Sequence, residues 1–476
     1  MKNTDHTTKE EAQKQKHLRM TTEPVEKLIV KLAIPTIISM LVSSFYNLVD
    51  TVFVGALKDA NATAAVSAVF SLMAIIQAFG FFCGHGSGNF ISRALGGQEN
   101  EKAERMAATG FFTAGIIGAV IMIFGLIFIR PFAVLLGAKN SMPEMQTMTM
   151  GYMKYILLAA PIMCMSLVLN NQLRFQGNAL YAMIGISSGA VLNIGLDAWL
   201  VPVLRVEGAA IATAISQTVS FVLLLIGMLR SDNLKIRFRN FTPTFAYLKE
   251  IFRGGAPSLF RQGLGSICNI CINNVAGTLG SEAAIAAIGI VQRIMMFASS
   301  AMIGFGQGFQ PVCGFNYGAK KYERVNRSFW FCVKLSAAVL LVVAVVCVAF
   351  APQLVAFIQK GEGESIESVI SIASTMLRLQ AICLPLMTFV VMSNMFLQTI
   401  GEVWRASFLA MCRQGLMLIP VLFLAVYLGR VFGGDPVLGV MIAQPIADVL
   451  SLLSALPVTL PVLAKMRKGI TKQYEL

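Results

Sequence analysis

The chain has 476 residues, of which 56% are hydrophobic and only 13% charged, and its mean hydropathy is +0.71. Soluble domains average about 45–50% apolar and about 25% charged, so disorder, a collagen-like repeat and a soluble nucleic-acid-binding module are excluded, and a polytopic membrane protein remains. The net charge of +14 does not indicate nucleic acid, because the basic residues are scattered between apolar stretches and form no patch.

Residues 1–24 are polar, carry both signs of charge and contain no apolar core, so they read as a disordered cytoplasmic tail and not as a cleaved signal. Twelve apolar segments follow, near 28–54, 62–88, 104–129, 149–170, 180–202, 208–229, 250–278, 283–312, 328–351, 369–396, 404–428 and 437–462. Each is long enough to cross about 30 Å of hydrocarbon as a helix, and a backbone in lipid must satisfy its own hydrogen bonds. The expected fold is an all-α polytopic membrane protein of 12 transmembrane helices. It divides into an N-lobe (25–230), a cytoplasmic linker (231–249), a C-lobe (250–465) and a cytoplasmic C-terminal tail (466–476).

The two lobes repeat. An ungapped shift of 222 places Pro35 on Pro257, Asn47 on Asn269, Gly55 on Gly277, and Gly84, Gly86 and Gly96 on Gly306, Gly308 and Gly318. At 224, Asn170, Leu173 and Gly177 meet Asn394, Leu397 and Gly401; at 231, Gly208 meets Gly439. Six spans per copy is an even number, so the copies sit the same way up, as a parallel repeat. With the N-terminus inside, inner segments hold 25 Lys and Arg against 6 outside. That split obeys the positive-inside rule and puts both termini in the cytoplasm.

All nine cysteines lie in or beside apolar segments, including the isolated Cys268–x–x–Cys271, and read as small buried hydrophobes. His85 is the one histidine outside the polar tail, and no metal cluster is apparent. No phosphate-binding glycine loop occurs, which argues against ATP as energy source. No nucleophile–base constellation occurs either, so the chain is not expected to be an enzyme.

Only Asp50, Asp197 and Asp448 fall well inside spans. An aspartate at a helix centre costs about 2.5–3.5 kcal/mol on insertion scales, so each needs a partner, a proton or water. Asp50 follows Asn47 by three positions and Asp197 follows Asn193 by four, which puts an amide on the same helix face as each acid. Such oxygens can hold Na⁺, here at Asp50, Asn193 and Asp197. They can equally hold a proton, because burial beside a second carboxylate disfavours the charged form.

Basic residues inside spans of the second half include Arg261, Arg293, Lys334 and Arg413. Repeat partners of Arg261 and Arg293 are Ser39 and Ser71, so these charges are not part of the shared framework. They either pair with Asp448 or a backbone carbonyl, or form an anion-attracting cavity wall. Ser43, Asn47, Gln217, Arg261, Arg293 and Arg413 are the candidate substrate-cavity residues. Pro35 and Pro257, at equivalent positions of the first helix of each lobe, are candidate hinges or static bends.

The chain resembles the multidrug and toxic compound extrusion (MATE) transporters, in their DinF-like prokaryotic branch. The resemblance rests on AIPTIISMLVSSFYNLVDTVFVG, ISRALGGQENEKA, LRFQGNA, NIGLDAWL and GAAIATAIS, and covers about residues 25–465. It implies a V-shaped pair of lobes around a central cavity. It also implies a monomeric plasma-membrane antiporter that exports amphipathic, cationic small molecules in exchange for H⁺ or Na⁺ and has no other cofactor. Family motif positions fall on Asp50, Asn193, Asp197 and Thr213, the last not reached from the residues alone. A lipid-linked or polyanionic headgroup flippase of related architecture is the alternative, to be favoured if Arg261, Arg293 and Arg413 converge.

Overall fold

The computed structural model describes residues 2–55, 57, 59–138, 143–230, 234–278, 282–358, 364–431 and 436–469. In chain order they form α1 (Lys2–Thr22), α2 (Val25–Gly55), α3 (Ala60–Gly96), α4 (Asn100–Ile127), α5 (Ile129–Leu135), α6 (Pro143–Phe175), α7 (Ala179–Leu229), α8 (Phe245–Thr278), α9 (Glu282–Gly318), α10 (Tyr322–Ala349), α11 (Ala351–Ile358), α12 (Glu364–Thr399), α13 (Val403–Met411), α14 (Leu418–Val431) and α15 (Pro436–Arg467).

Ten of these stretches are long and apolar enough to span a membrane, the continuous α13–α14 segment counting as one. Two more complete the twelve. At 51 residues α7 would be about 76 Å long as one helix, far more than a bilayer core. Arg205, at φ 54° and ψ −128°, breaks it into two spans. The remaining span is α8, whose hydropathy is lowered by Lys249, Glu250, Arg253 and Arg261.

The repeat seen in the sequence is a repeat of backbone. Helices α3 and α9 have 37 residues each and α4 and α10 have 28 each. Gly177 and Gly401 close α6 and α12 with φ of 84° and 86°. In each case the next amide bonds back five residues, Asn178 N–H to Leu173 O and Glu402 N–H to Leu397 O, both 2.9 Å. This is the left-handed glycine stop that a helix end favours. Gln98 and Lys320, also 222 apart, take the same positive φ after α3 and α9 (63° and 59°). Asn170 Nδ2 donates to Ala182 O at 3.1 Å, and Asn394 repeats the bond to Ala406 O at 2.6 Å.

The lobes meet through a crossed pairing, α2 on α9 and α3 on α8. These contacts concentrate at the end that carries the N-terminus. There Gly96 lies against the Phe315 carbonyl and Gly318 against the Arg93 carbonyl, so close that a Cβ at either would strike backbone. The shift of 222 exchanges the two contacts, which makes the seam two-fold. Polar bonds close it: Arg93 to Glu250 at 2.8 Å and to Thr399 O at 2.9 Å, and Arg327 to Glu26 at 2.6 Å. Near mid-depth the Ser44 and Ser300 hydroxyls bond at 2.6 Å. Beyond this point no hydrogen bond joins α2 to α9 among the described residues, and the lobes splay into a V.

Three expectations change. Residues 2–22 are helical, not a disordered tail, because α1 docks on the seam: His17 Nε2 donates to Gly96 O at 2.9 Å and Met20 is buried. The linker is shorter, since α8 begins at Phe245, and Phe238 and Phe241 pack on Phe112 of α4. Arg174, counted from sequence among the cytoplasmic loop cations, is 3% exposed inside α6. It donates across the seam to Gln307 Oε1 and within α6 to Asn171 Oδ1.

Candidate functional site

The N-lobe acids come together because α7 folds back on itself. Asn193 and Asp197 stand on its first half and Thr213 and Gln217 on its second, with the Arg205 break between them. That break is held by Arg205 Nη2 to Asp59 Oδ2 at 3.1 Å, and Asp59 in turn caps α3. The fold-back puts the Thr213 backbone N–H at 3.2 Å from the Asn193 amide oxygen, and the amide nitrogen then donates to Asp197 Oδ2 at 3.0 Å. The amide is so oriented because its oxygen and nitrogen must face a donor and an acceptor respectively.

Asp50 approaches from α2. It is 3% exposed, Asp197 is fully buried, and each keeps one oxygen, Oδ1, with no hydrogen-bond partner. The two carboxyl groups are near enough to act on one another electrostatically. Tyr46 and the fully buried Tyr152 face the same pair, and the Tyr152 hydroxyl is also unpartnered. An orphaned buried acceptor costs about 1–3 kcal/mol, and two adjacent carboxylates add repulsion. Protonation or a bound monovalent cation relieves both. Among the described residues no group of three His, Cys, Asp or Glu gathers as a metal site.

In front of the acids lies a cavity of about 220 Å³. Ser43, Tyr46, Asn193, Thr213 and Gln217 line it from the N-lobe, and Ser300 closes it at the point where the lobes part. Asp50 and Asp197 do not line it; they sit behind Tyr46, Asn193 and Thr213. The structure thus places Ser43, Thr213 and Gln217 at the cavity and the acids behind it, while the Asn47 side chain lies outside the described residues. Sequence reasoning did not single out Tyr46 and Tyr152. Tyr46 could have been found, four residues before Asp50 on one helix face; Tyr152 carries no local signal.

The other candidates scatter. Arg261 and Arg413 converge on a separate C-lobe cleft, whereas Arg293 and Lys334 are exposed and line neither pocket. Neither Arg261 nor Arg413 pairs with Asp448, whose Oδ1 accepts instead from Gln444 at 2.8 Å. Pro35 and Pro257 sit inside the unbroken helices α2 and α8.

Comparison with known proteins agrees with this fold. The MatE family model matches residues 35–199 and again 257–424, the two matches starting 222 residues apart. The multidrug export protein MepA of Staphylococcus saprophyticus is 27% identical over 439 residues, covering 91% of this chain and 93% of its own. MepA of Staphylococcus aureus is 27% identical over 436 residues, with the same coverage. Among solved structures, an outward-facing multidrug resistance MATE family transporter superposes with a TM-score of 0.87 at 27% identity, over 94% of this chain and 99% of that one. A MOP superfamily transporter from Pyrococcus furiosus, whose binding pocket is described as reversed in polarity, superposes with a TM-score of 0.86 at 28% identity, over 94% and 98%.

Proposed function

Since the chain belongs to the MATE family of membrane transporters, we propose that it is a secondary antiporter exporting amphipathic small molecules, drugs among them, in exchange for H⁺ or Na⁺. The observation that carries the reading is the pair of unpartnered oxygens on Asp50 and Asp197, set directly behind a cavity that closes where the lobes part. A site with unsatisfied negative charge accepts a cation or proton, and whichever enters changes what α2 and α7 can pack against.

The basic-residue split supports a cytoplasmic N-terminus in the plasma membrane. On that orientation the seam closes the cytoplasmic end and the V opens outward. Ion binding at Asp50 and Asp197 then favours one arrangement of α2 over another, and substrate leaves the cavity. The ion shifts the population only by its preference for one state, and one charge crossing 100 mV supplies about 2.3 kcal/mol.

The test is efflux of a cationic fluorescent dye from proteoliposomes under separately imposed pH and Na⁺ gradients. One gradient is expected to drive efflux in the wild type, and Asp50→Asn is expected to reduce that driven component at least tenfold. Driven efflux that survives Asp50→Asn unchanged rules out coupling at this site. The flippase alternative asked for three converging arginines; two converge, so it is not favoured.

A further inference from the structure

Arg261 on α8 and Arg413 on the α13–α14 span line one cleft of the C-lobe with Asn394, Gln414 and Val391. Both residues are half-buried, and neither has a hydrogen-bond or ion-pair partner among the described residues. Two cations sharing a low-dielectric cleft repel one another, and the single buried carboxylate of Asp448, near enough to act on Arg413, offsets only one of the two charges, so the cleft keeps a net positive charge that a further anion would neutralise.

The walls are built, not incidental. At Cys412–Leu416 the helix opens into a π turn, closed by Met417 N–H to Cys412 O at 3.3 Å. Turns of this kind occur frequently at functional sites. Cys268 of α8 donates its thiol to the Gln414 carbonyl at 2.7 Å, locking together the two elements that carry the arginines.

The repeat supplies the independent observation. At a shift of 224, Asn394 falls on Asn170, Val391 on Leu167, Gln414 on Ala190 and Arg413 on Gly189, and all four N-lobe residues line the cavity of about 220 Å³. The C-lobe cleft is therefore the symmetry twin of that cavity. The N-lobe has glycine where the C-lobe has Arg413, and Ser39 where the C-lobe has Arg261. The cleft offers about 10 Å³, the room of one water, which suits a single oxygen of an acidic head between the two forks.

We propose that Arg261 and Arg413 form an anion-recognising subsite of the transport path, which takes an oxygen of the carboxylate or phosphate head of an amphiphile. This deepens the antiporter reading, on which it rests: substrates include anionic or zwitterionic amphiphiles as well as cations. Guanidinium suits an acidic oxygen because its N–H donors carry the charge, which makes those hydrogen bonds short and strong.

The experiment is calorimetric binding of octyl phosphate, octanoate, inorganic phosphate and octyltrimethylammonium to the full chain in nanodiscs. Octyl phosphate or octanoate is expected to bind at least ten times more weakly to Arg413→Gln and Arg261→Gln, and less than threefold more weakly to Arg413→Lys. Octyltrimethylammonium binding is expected to stay unchanged in all three, which also shows that the variants fold. Anion binding indifferent to both glutamine substitutions overturns the proposal. So does loss of the cation together with the anions in both, which makes the pair structural. Inorganic phosphate binding as tightly as octyl phosphate overturns the amphiphile subsite in favour of a free-anion site. Dye efflux that fails while arginine-dependent binding persists defeats the antiporter reading alone.

Discussion

Asp50 and Asp197 approach each other from helices far apart in sequence, and neither acid is satisfied by the groups around it. Because both face one site, their substitutions should not add. Asp197→Asn is expected to reduce gradient-driven dye efflux at least tenfold. The Asp50→Asn/Asp197→Asn double variant should be no worse than the poorer single, since groups acting as one unit show strong coupling. Efflux ratios that multiply in the double variant would place the acids in two independent sites. At this scale the sequence was informative where a residue type contradicts its solvent: an aspartate in an apolar run is visible without coordinates. Tyr152 and Arg174 were not legible. A tyrosine in a span is unremarkable, and Arg174 lies at a helix end where a loop cation is the ordinary expectation. Only the packing of α6 against the other lobe shows it to be enclosed.

Helix ends carry the repeat more faithfully than helix surfaces do. Gly177 and Gly401 both hold a φ that a Cβ disfavours, by about 1–2 kcal/mol for an L-residue in the left-handed region. Gly177→Ala and Gly401→Ala should each lower stability by about that amount, measured as thermal inactivation of the purified protein. The two should add in the double variant, because distant sites without shared partners behave independently. Equal stability of Gly177→Ala and wild type would show that the turn relaxes to another conformation. Conserved spacing of such glycines between the halves made the six-helix unit readable from sequence. The break at Arg205 was readable as well, since the apolar segments 180–202 and 208–229 end and begin on either side of it, but its positive φ was not. The π turn was equally hidden, because an extra residue in one turn leaves hydropathy unchanged. The α1 segment was misread because its composition is polar throughout; docking on the lobe seam, not amphipathicity, gives it a partner.

The whole molecule is held at one end. Arg93, Glu250 and Thr399 join the lobes through an ion pair and a carbonyl bond, with Arg174 and Gln307 enclosed deeper in the same seam. His85 and Ser258 share a hydrogen bond of 3.2 Å there. Buried pairs of this sort fix geometry at little net gain in stability, which suits a joint that has to open. Twelve spans, two lobes and the parallel repeat were all legible from hydropathy and internal alignment. Which end of the V is closed was not, because that depends on the close approach of backbones and not on composition.

The exchange of Gly96 and Gly318 has a consequence for assembly. An interface that maps onto itself under two-fold rotation is the kind that joins identical subunits: each half carries both the protrusion and the recess. The connection between α7 and α8 is then a tether that raises the local concentration of one half around the other, and it need not direct their docking. Residues 1–230 and 234–476 produced as separate polypeptides in one cell are expected to co-purify and to restore at least half of the dye efflux of the intact chain. Halves that remain apart at any expression level would mean that covalent linkage itself selects the partner.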